Sequence, residues 1–170
     1  MSAKSLFDTS LVHSLKKAGE ITATWARRNP LGVLMVAVFV AGITGFYGLH
    51  AAFGRGHAFS ALGWMESTWN HKTGYDHGFL VPILMLVLAA RRLPEVAATE
   101  VKPSRWGLAL MILGIVTYVA AIRSYQARVA VVGLPILVLG VIGWVHSFRA
   151  MRLMAFPLCL LYFALHAPGL

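Results

Sequence analysis

The sequence predicts an all-α fold: a polytopic bundle of about five transmembrane helices with a cytoplasmic N-terminus. Hydrophobic residues make up 58% of the 170, and charged residues only 12%, about half the charge of a typical soluble domain. Most apolar residues fall in uncharged runs of about 18 or more, long enough to cross a hydrocarbon core. The 15 Lys and Arg, against six Asp and Glu, lie in the connectors between these runs. The net charge of +9 therefore reads as membrane topology. It does not read as a nucleic-acid surface, so the expected surround is membrane lipid and no nucleic-acid partner is implied.

Residues 1–30 form a basic segment with Lys4, Lys16, Lys17, Arg27 and Arg28. Asp8-Thr9-Ser10 offers a helix N-cap, and Leu11, Leu15, Ala18, Thr22 and Trp25 recur at helical spacing. A helix lying on the cytoplasmic membrane surface and a disordered basic tail both fit. Asn29-Pro30 ends the segment, because a residue before proline is pushed out of helical geometry.

The remainder, 31–170, is expected to be a transmembrane domain. Span one covers 31–53 and reads as an uncleaved anchor, its apolar stretch being too long for a signal peptide. Ala37, Ala41 and Gly45, with Gly42 and Gly48, give it faces that another helix can approach closely. Residues 54–77 are the long polar connector, with Trp64 and Trp69 suited to an interfacial aromatic belt. Span two runs over 75–90, stopped by Arg91-Arg92. From Gly78 it offers only about 20 Å of uncharged helix against a core of about 30 Å, so Asp76 and His77 fall at a wet–dry boundary. A basic connector with Arg91, Arg92, Lys102 and Arg105 leads to span three (106–122), span four (129–148, with Pro135 as a kink) and span five (153–170). With the N-terminus inside, eleven Lys and Arg lie in inner connectors. Only Arg55, Lys72, Arg123 and Arg128 lie outside, which places the 54–77 loop on the outer face. The last residues, His166-Ala167-Pro168-Gly169-Leu170, carry no polar tail. That suits a chain cut within a longer protein as well as a natural end.

The chemistry-bearing residues concentrate in the outer loop. Glu66, His71, Asp76 and His77 could each ligate a metal, but their spacing matches no standard motif, and no metal or cofactor is expected. Asp76 at the mouth of a span is costly unless paired or hydrated; Arg123, Arg128 and His77 are candidate partners. His50, His77 and His166 fall near the outer face and His146 near the inner one. No haem-attachment Cys-x-x-Cys-His occurs. Cys159, the only cysteine, sits among Leu158, Leu160 and Leu161, and is expected to be buried and inert. Neither a Gly-x-Ser-x-Gly elbow nor a phosphate-binding Gly-rich loop is present, so the chain offers no complete catalytic constellation.

Trp69 followed by Tyr75-Asp76-His77-Gly78-Phe79-Leu80-Val81-Pro82 and Arg91-Arg92, then Pro103-Ser104-Arg105-Trp106-Gly107-Leu108, then Arg149, Arg152, Phe156-Pro157-Leu158 and Ala167-Pro168, resembles the exosortase/archaeosortase family over residues 60–170. Asp76 stands where that family most often has Ser. The resemblance implies a membrane cysteine transpeptidase or protease acting on secreted proteins that carry a C-terminal tag. Such a tag has a short Pro-Glu-Pro-like motif, a hydrophobic helix and a basic cluster, and the system often accompanies exopolysaccharide production. It implies partners that enter through the tag's helix. It makes Trp69, Tyr75, Asp76 and His77 candidates for the edge of the substrate groove. The family's Ala-Cys-Ser-Gly-like motif, and its later Arg and His, have no counterpart in this sequence. No catalytic residue is therefore carried over, and the chain is expected to correspond to the amino-terminal, non-catalytic half. A membrane scaffold or assembly subunit is the alternative. A transporter would place ionisable residues deep in the spans, where almost none occur.

Overall fold

The structure, a computed structural model, describes residues 16, 19–20, 23–53, 58–69 and 76–165, with the backbone alone for Asp76 and His77. The expected N-cap at Asp8–Ser10 and the stripe residues Leu11, Leu15, Ala18 and Thr22 lie outside them, as do His71, Tyr75 and His166. The described residues are all-α, apart from the isolated bridges Phe53–Phe59 and Lys102–Ser147. Residues 23–28 are helical and the helix breaks at Asn29. α1 (Pro30–Ile43) starts there with proline in its first turn, where no backbone N–H is needed. It passes into a π-helical turn, Thr44–Leu49. α2 (Ala61–Ser67) follows, its N-cap Ser60 accepting from the Gly63 N–H. A 3₁₀ turn, Asp76–Phe79, leads into α3 (Leu80–Ala97). α4 (Arg105–Ser124), α5 (Ala127–Val145) and α6 (Phe148–Cys159) complete the bundle, and a second 3₁₀ turn covers Leu160–Ala164.

Among the described residues three helices are long and apolar enough to cross a membrane, Pro30–Leu49, Arg105–Ser124 and Ala127–Val145, against about five spans expected from the sequence. They belong to an all-α membrane bundle. α4, α5 and α6 run alternately up and down, since the tight turns Tyr125-Gln126 and His146-Ser147 each join neighbours at one end. α4 and α5 form the spine. They turn over Tyr125-Gln126, where Tyr125 takes a left-handed φ of 54° and closes α4 with bonds back to its last turn. Their faces meet backbone to backbone. A Cβ on Gly140 would fall onto the Met111 nitrogen and 2.6 Å from its Cα, and one on Gly107 would overlap the backbone of Gly143 and Trp144. α1 lies at the periphery: 6% of its span is buried within the bundle, against 44% of the α5 span.

Two boundaries differ from expectation. Arg91-Arg92 do not stop the second helix, which continues to Ala97. Arg92 pairs with Glu95 at 2.7 Å on the exposed side, while Leu93, Val96 and Ala97 line an apolar cavity with Trp25, Val36 and Met154. Long basic side chains can carry their charge to water while the helix stays packed. The helix expected to reach Phe148 ends at Val145, because Ser147 caps the next helix by accepting from the Ala150 N–H at 3.1 Å.

The end opposite the Tyr125 turn is tied by backbone bonds. The Lys102 N–H donates to the His146 carbonyl at 2.7 Å and the Ser104 N–H to Gly143 at 3.0 Å. The His146 ring is buried 3.4 Å from the Thr99 hydroxyl, and that burial holds its pKa below the usual 6.5. Above the ordinary histidine pKa both folded and unfolded forms are neutral. Below it the unfolded chain takes up a proton that the folded one resists, so stability is lost as pH falls. Melting the detergent-solubilised chain at pH 7.5 and pH 5.5 should therefore show a lower midpoint in acid, with the difference reduced in His146→Gln. Gly140→Ala should destabilise by about 1–3 kcal/mol by forcing the spine apart. In contrast, Gly42→Ala, where a Cβ meets nothing within 4 Å, should be neutral or stabilising in the same melts.

Candidate functional site

The described parts of the segments expected on the outer face gather at the Tyr125 end of the bundle. The π turn is the first piece. In an α-helix the His50 N–H would bond to Phe46, four residues back. Here it reaches Gly45 at 2.8 Å, the i→i+5 pattern of a π-bulge. The Phe46 carbonyl is left to accept from the Tyr118 hydroxyl of α4 at 2.5 Å. Tyr118 also stacks at a tilt on buried Tyr47, ring centres 4.5 Å apart, and meets Phe53 edge-on. His50 lies 3.4 Å from the same hydroxyl. One tyrosine thus ties α1, its π turn and the start of the outer connector to the spine.

The second piece is a junction around Trp69. Its indole N–H donates to the Ala164 carbonyl at 3.0 Å, and its ring meets Phe79 edge-on at 4.7 Å. Gly78 is buried beneath it, and any Cβ there would run into the indole. One side chain locks the loop end at Trp69 and the nearby 3₁₀ entry to α3 to the final 3₁₀ turn, 95 positions further along the chain. The hydroxyl of Tyr162 in that last turn donates to Val132 of α5 at 3.2 Å.

The third piece is cationic. Arg128, in the first turn of α5, lies over the Trp64 ring of α2, 5.7 Å from its centre. Among the described residues its Nε is buried without a hydrogen-bond partner. Phe53, Trp64, Tyr125 and Arg128 line a cavity of about 340 Å³. Arg123 and Arg128 stand at this end of the bundle. The opposite end carries Arg27, Arg28, Arg91, Arg92, Lys102, Arg105, Arg149 and Arg152.

Of the candidate groove residues, Trp69 is half-buried in the junction, and Asp76 and His77 sit in its 3₁₀ turn. Tyr75 lies outside the described residues. The Arg128–Trp64 contact and the Tyr118 cluster had no signature in the sequence. Their members lie 64 and 72 positions apart, and no short motif joins them. Cys159 corrects an expectation: it is exposed, not buried. Of its leucine neighbours, Leu161 turns into the core while Leu158 and Leu160 stay partly exposed, so the thiol sits on the outward side of the helix end. Among the described residues no three of His, Cys, Asp and Glu group to hold a metal.

The transmembrane exosortase family model matches residues 69–170. The chain belongs to the transmembrane exosortase family. No curated protein and no solved structure gives a match. The exosortase match begins at Trp69, the residue on which the junction closes, and it takes in Gly78 and Phe79. These positions of the family-like stretch therefore have a structural explanation in this chain. Gly78 is needed for close approach, Phe79 for the edge contact and Trp69 for both. Trp69→Phe should cost about 1 kcal/mol by losing the bond to Ala164. Gly78→Ala should cost more, and its loss and that of Trp69→Ala should be clearly less than additive in the double variant Trp69→Ala/Gly78→Ala. Thermal melts of the four proteins measure this coupling.

Proposed function

We propose that this exosortase-family chain forms the substrate-docking part of a multi-pass, inner-membrane cysteine transpeptidase or protease. The enzyme processes secreted proteins bearing a C-terminal tag, in cells that make exopolysaccharide. The family match over residues 69–170 carries this reading. The charge asymmetry of the two ends supports the orientation: the end rich in Lys and Arg faces the cytoplasm, and the Trp69 end faces outward, toward secreted substrates.

The tag's hydrophobic helix docks along the groove between α1 and α4. This groove encloses about 410 Å³ between Phe39, Gly42, Tyr47, Ile115 and Tyr118. The positions around Gly42 and Gly45 are open, and a helix laid against them can approach to backbone contact, which drives association in lipid. Trp69, Tyr75, Asp76 and His77 border the outer end, where the short motif of the tag arrives. Cys159 is given no catalytic part. It lies within Pro157-Leu158-Cys159-Leu160, which does not match the family's nucleophile motif, and the attacking thiolate comes from residues this sequence does not contain. That lack also favours a second reading, a non-catalytic scaffold subunit.

The test is photo-crosslinking in cells that express the intact gene product with a tagged secreted reporter. A benzoylphenylalanine replacing Phe39 should capture the reporter, and one replacing lipid-side Leu86 of α3 should not. A reporter whose tag helix is replaced by a polar sequence should escape capture. Reporter cleavage should be unchanged in Cys159→Ser. Equal capture from both positions removes the groove assignment, while capture without any cleavage selects the scaffold.

A further inference from the structure

We propose that the cleft lined by Phe148, Arg149, Arg152 and Leu153, at the basic end of the bundle, holds the headgroup phosphate of an anionic phospholipid. The site lies at the opposite end from the Trp69 junction and stands whether the chain serves an enzyme or a scaffold.

The cations of this half of the chain have no acidic partners within it. None of the six Asp and Glu lies beyond Glu100, while residues 101–170 carry six Lys and Arg. Four of these, Lys102, Arg105, Arg149 and Arg152, stand at the basic end and are exposed. Among the described residues one ion pair forms, between Arg92 and Glu95, so Arg149 and Arg152 have no carboxylate beside them there. They lie three positions apart in the first two turns of α6, a spacing at which side chains meet on a helix surface and like charges repel. The first turn of α6 carries no acid, although the positive end of a helix favours one. The fold adds to the excess. The Lys102 N–H bonds to the His146 carbonyl and Lys102 forms a backbone bridge with Ser147, which sets the 102–105 connector beside the start of α6. An anion supplied from outside this stretch offsets the whole cluster.

The surroundings point to lipid rather than to a soluble anion. The cleft has a volume of about 460 Å³, within the range of sites that hold small ligands, about 300–1,000 Å³. Two guanidinium forks match phosphate oxygens, while the other two walls, Phe148 and Leu153, are apolar. α6 buries Ala150, Met151, Met154 and Pro157 and turns its other side outward, where Phe148 is 43% and Phe156 65% exposed. Phe156 lies about one turn beyond Arg152 along the helix, so an acyl chain hanging from a phosphate at the two arginines runs onto it. Trp106, 70% exposed next to Arg105, marks this end as the level of the membrane interface, where tryptophan rings sit among headgroups. A free phosphate would meet the arginines and gain nothing from the aromatic rings. A headgroup with its own ammonium would bring that cation into a cluster of four, so lipids without one are preferred.

The test is native mass spectrometry of the full chain, purified in detergent and titrated with equal amounts of phosphatidylglycerol and phosphatidylcholine. The unaltered chain should bind its first phosphatidylglycerol about tenfold more tightly than phosphatidylcholine. Arg149→Gln/Arg152→Gln should remove most of that preference. Arg91→Gln/Arg92→Gln takes the same charge from the same end, where Glu95 already pairs with Arg92, and should keep it. Circular dichroism checks that helix content is unchanged in both variants. Equal binding of the two lipids by the unaltered chain overturns the assignment without needing any variant. Equal loss of preference in the two double variants makes the attraction a matter of overall charge and overturns the site, as does a preference that survives Arg149→Gln/Arg152→Gln. Displacement of the bound phosphatidylglycerol by excess inorganic phosphate makes this a soluble-anion site and also overturns it.

Discussion

The backbone-to-backbone contact between α4 and α5 is the constraint on which the other contacts depend. In lipid, burying a leucine against another helix gains little, because acyl chains are as apolar as the leucine. What holds two helices together is how near they can come. Gly107 against Gly143, and Gly140 against Met111, leave no room for a Cβ, so the two axes are brought as close as their backbones allow. With that spine fixed, Tyr118 and Arg128 stand at one end of a rigid pair. The Gly143 and His146 carbonyls at the other end accept from Ser104 and Lys102.

The remaining elements hang on the spine through polar groups whose partners are set by local geometry. The π turn is the clearest case. By moving one backbone bond from Phe46 to Gly45 it offers a carbonyl where an ordinary helix would offer none, and Tyr118 takes it. A widened turn that would weaken an isolated helix is compensated by a bond to a neighbour. The Trp69 indole does the same for the last 3₁₀ turn, bonding to the Ala164 carbonyl that lies beyond the regular helix α6. At a membrane surface these bonds have two effects: they satisfy groups that lipid cannot, and they fix the outer segments against the bundle.

This arrangement separates architecture from recognition. Trp69, Gly78 and Phe79, which belong to the stretch that resembles the exosortase family, are spent on packing at the junction. Among the described residues the glycine face of α1 stays open along the groove, and the Trp25 indole nitrogen, the Tyr47 hydroxyl and the Arg128 Nε are buried without partners.

By itself the sequence determined the membrane class, the all-α character and the likeness to exosortases. Long uncharged runs and basic connectors are local properties, and Asn29-Pro30 marks a boundary through its own backbone chemistry; the short helix α2 inside the polar connector went unread. The sequence misjudged Arg91-Arg92 and Cys159 for one reason: whether a charged residue ends a helix, or a thiol is buried, depends on which side of the helix faces its neighbours. Only the tertiary structure decided that Trp69 reaches Ala164, that Tyr118 takes the Phe46 carbonyl, and that Arg128 lies over Trp64. Those partners are 95, 72 and 64 residues apart. A contact of that separation is set by how closely the glycine faces let the helices pack, a quantity that no local pattern encodes.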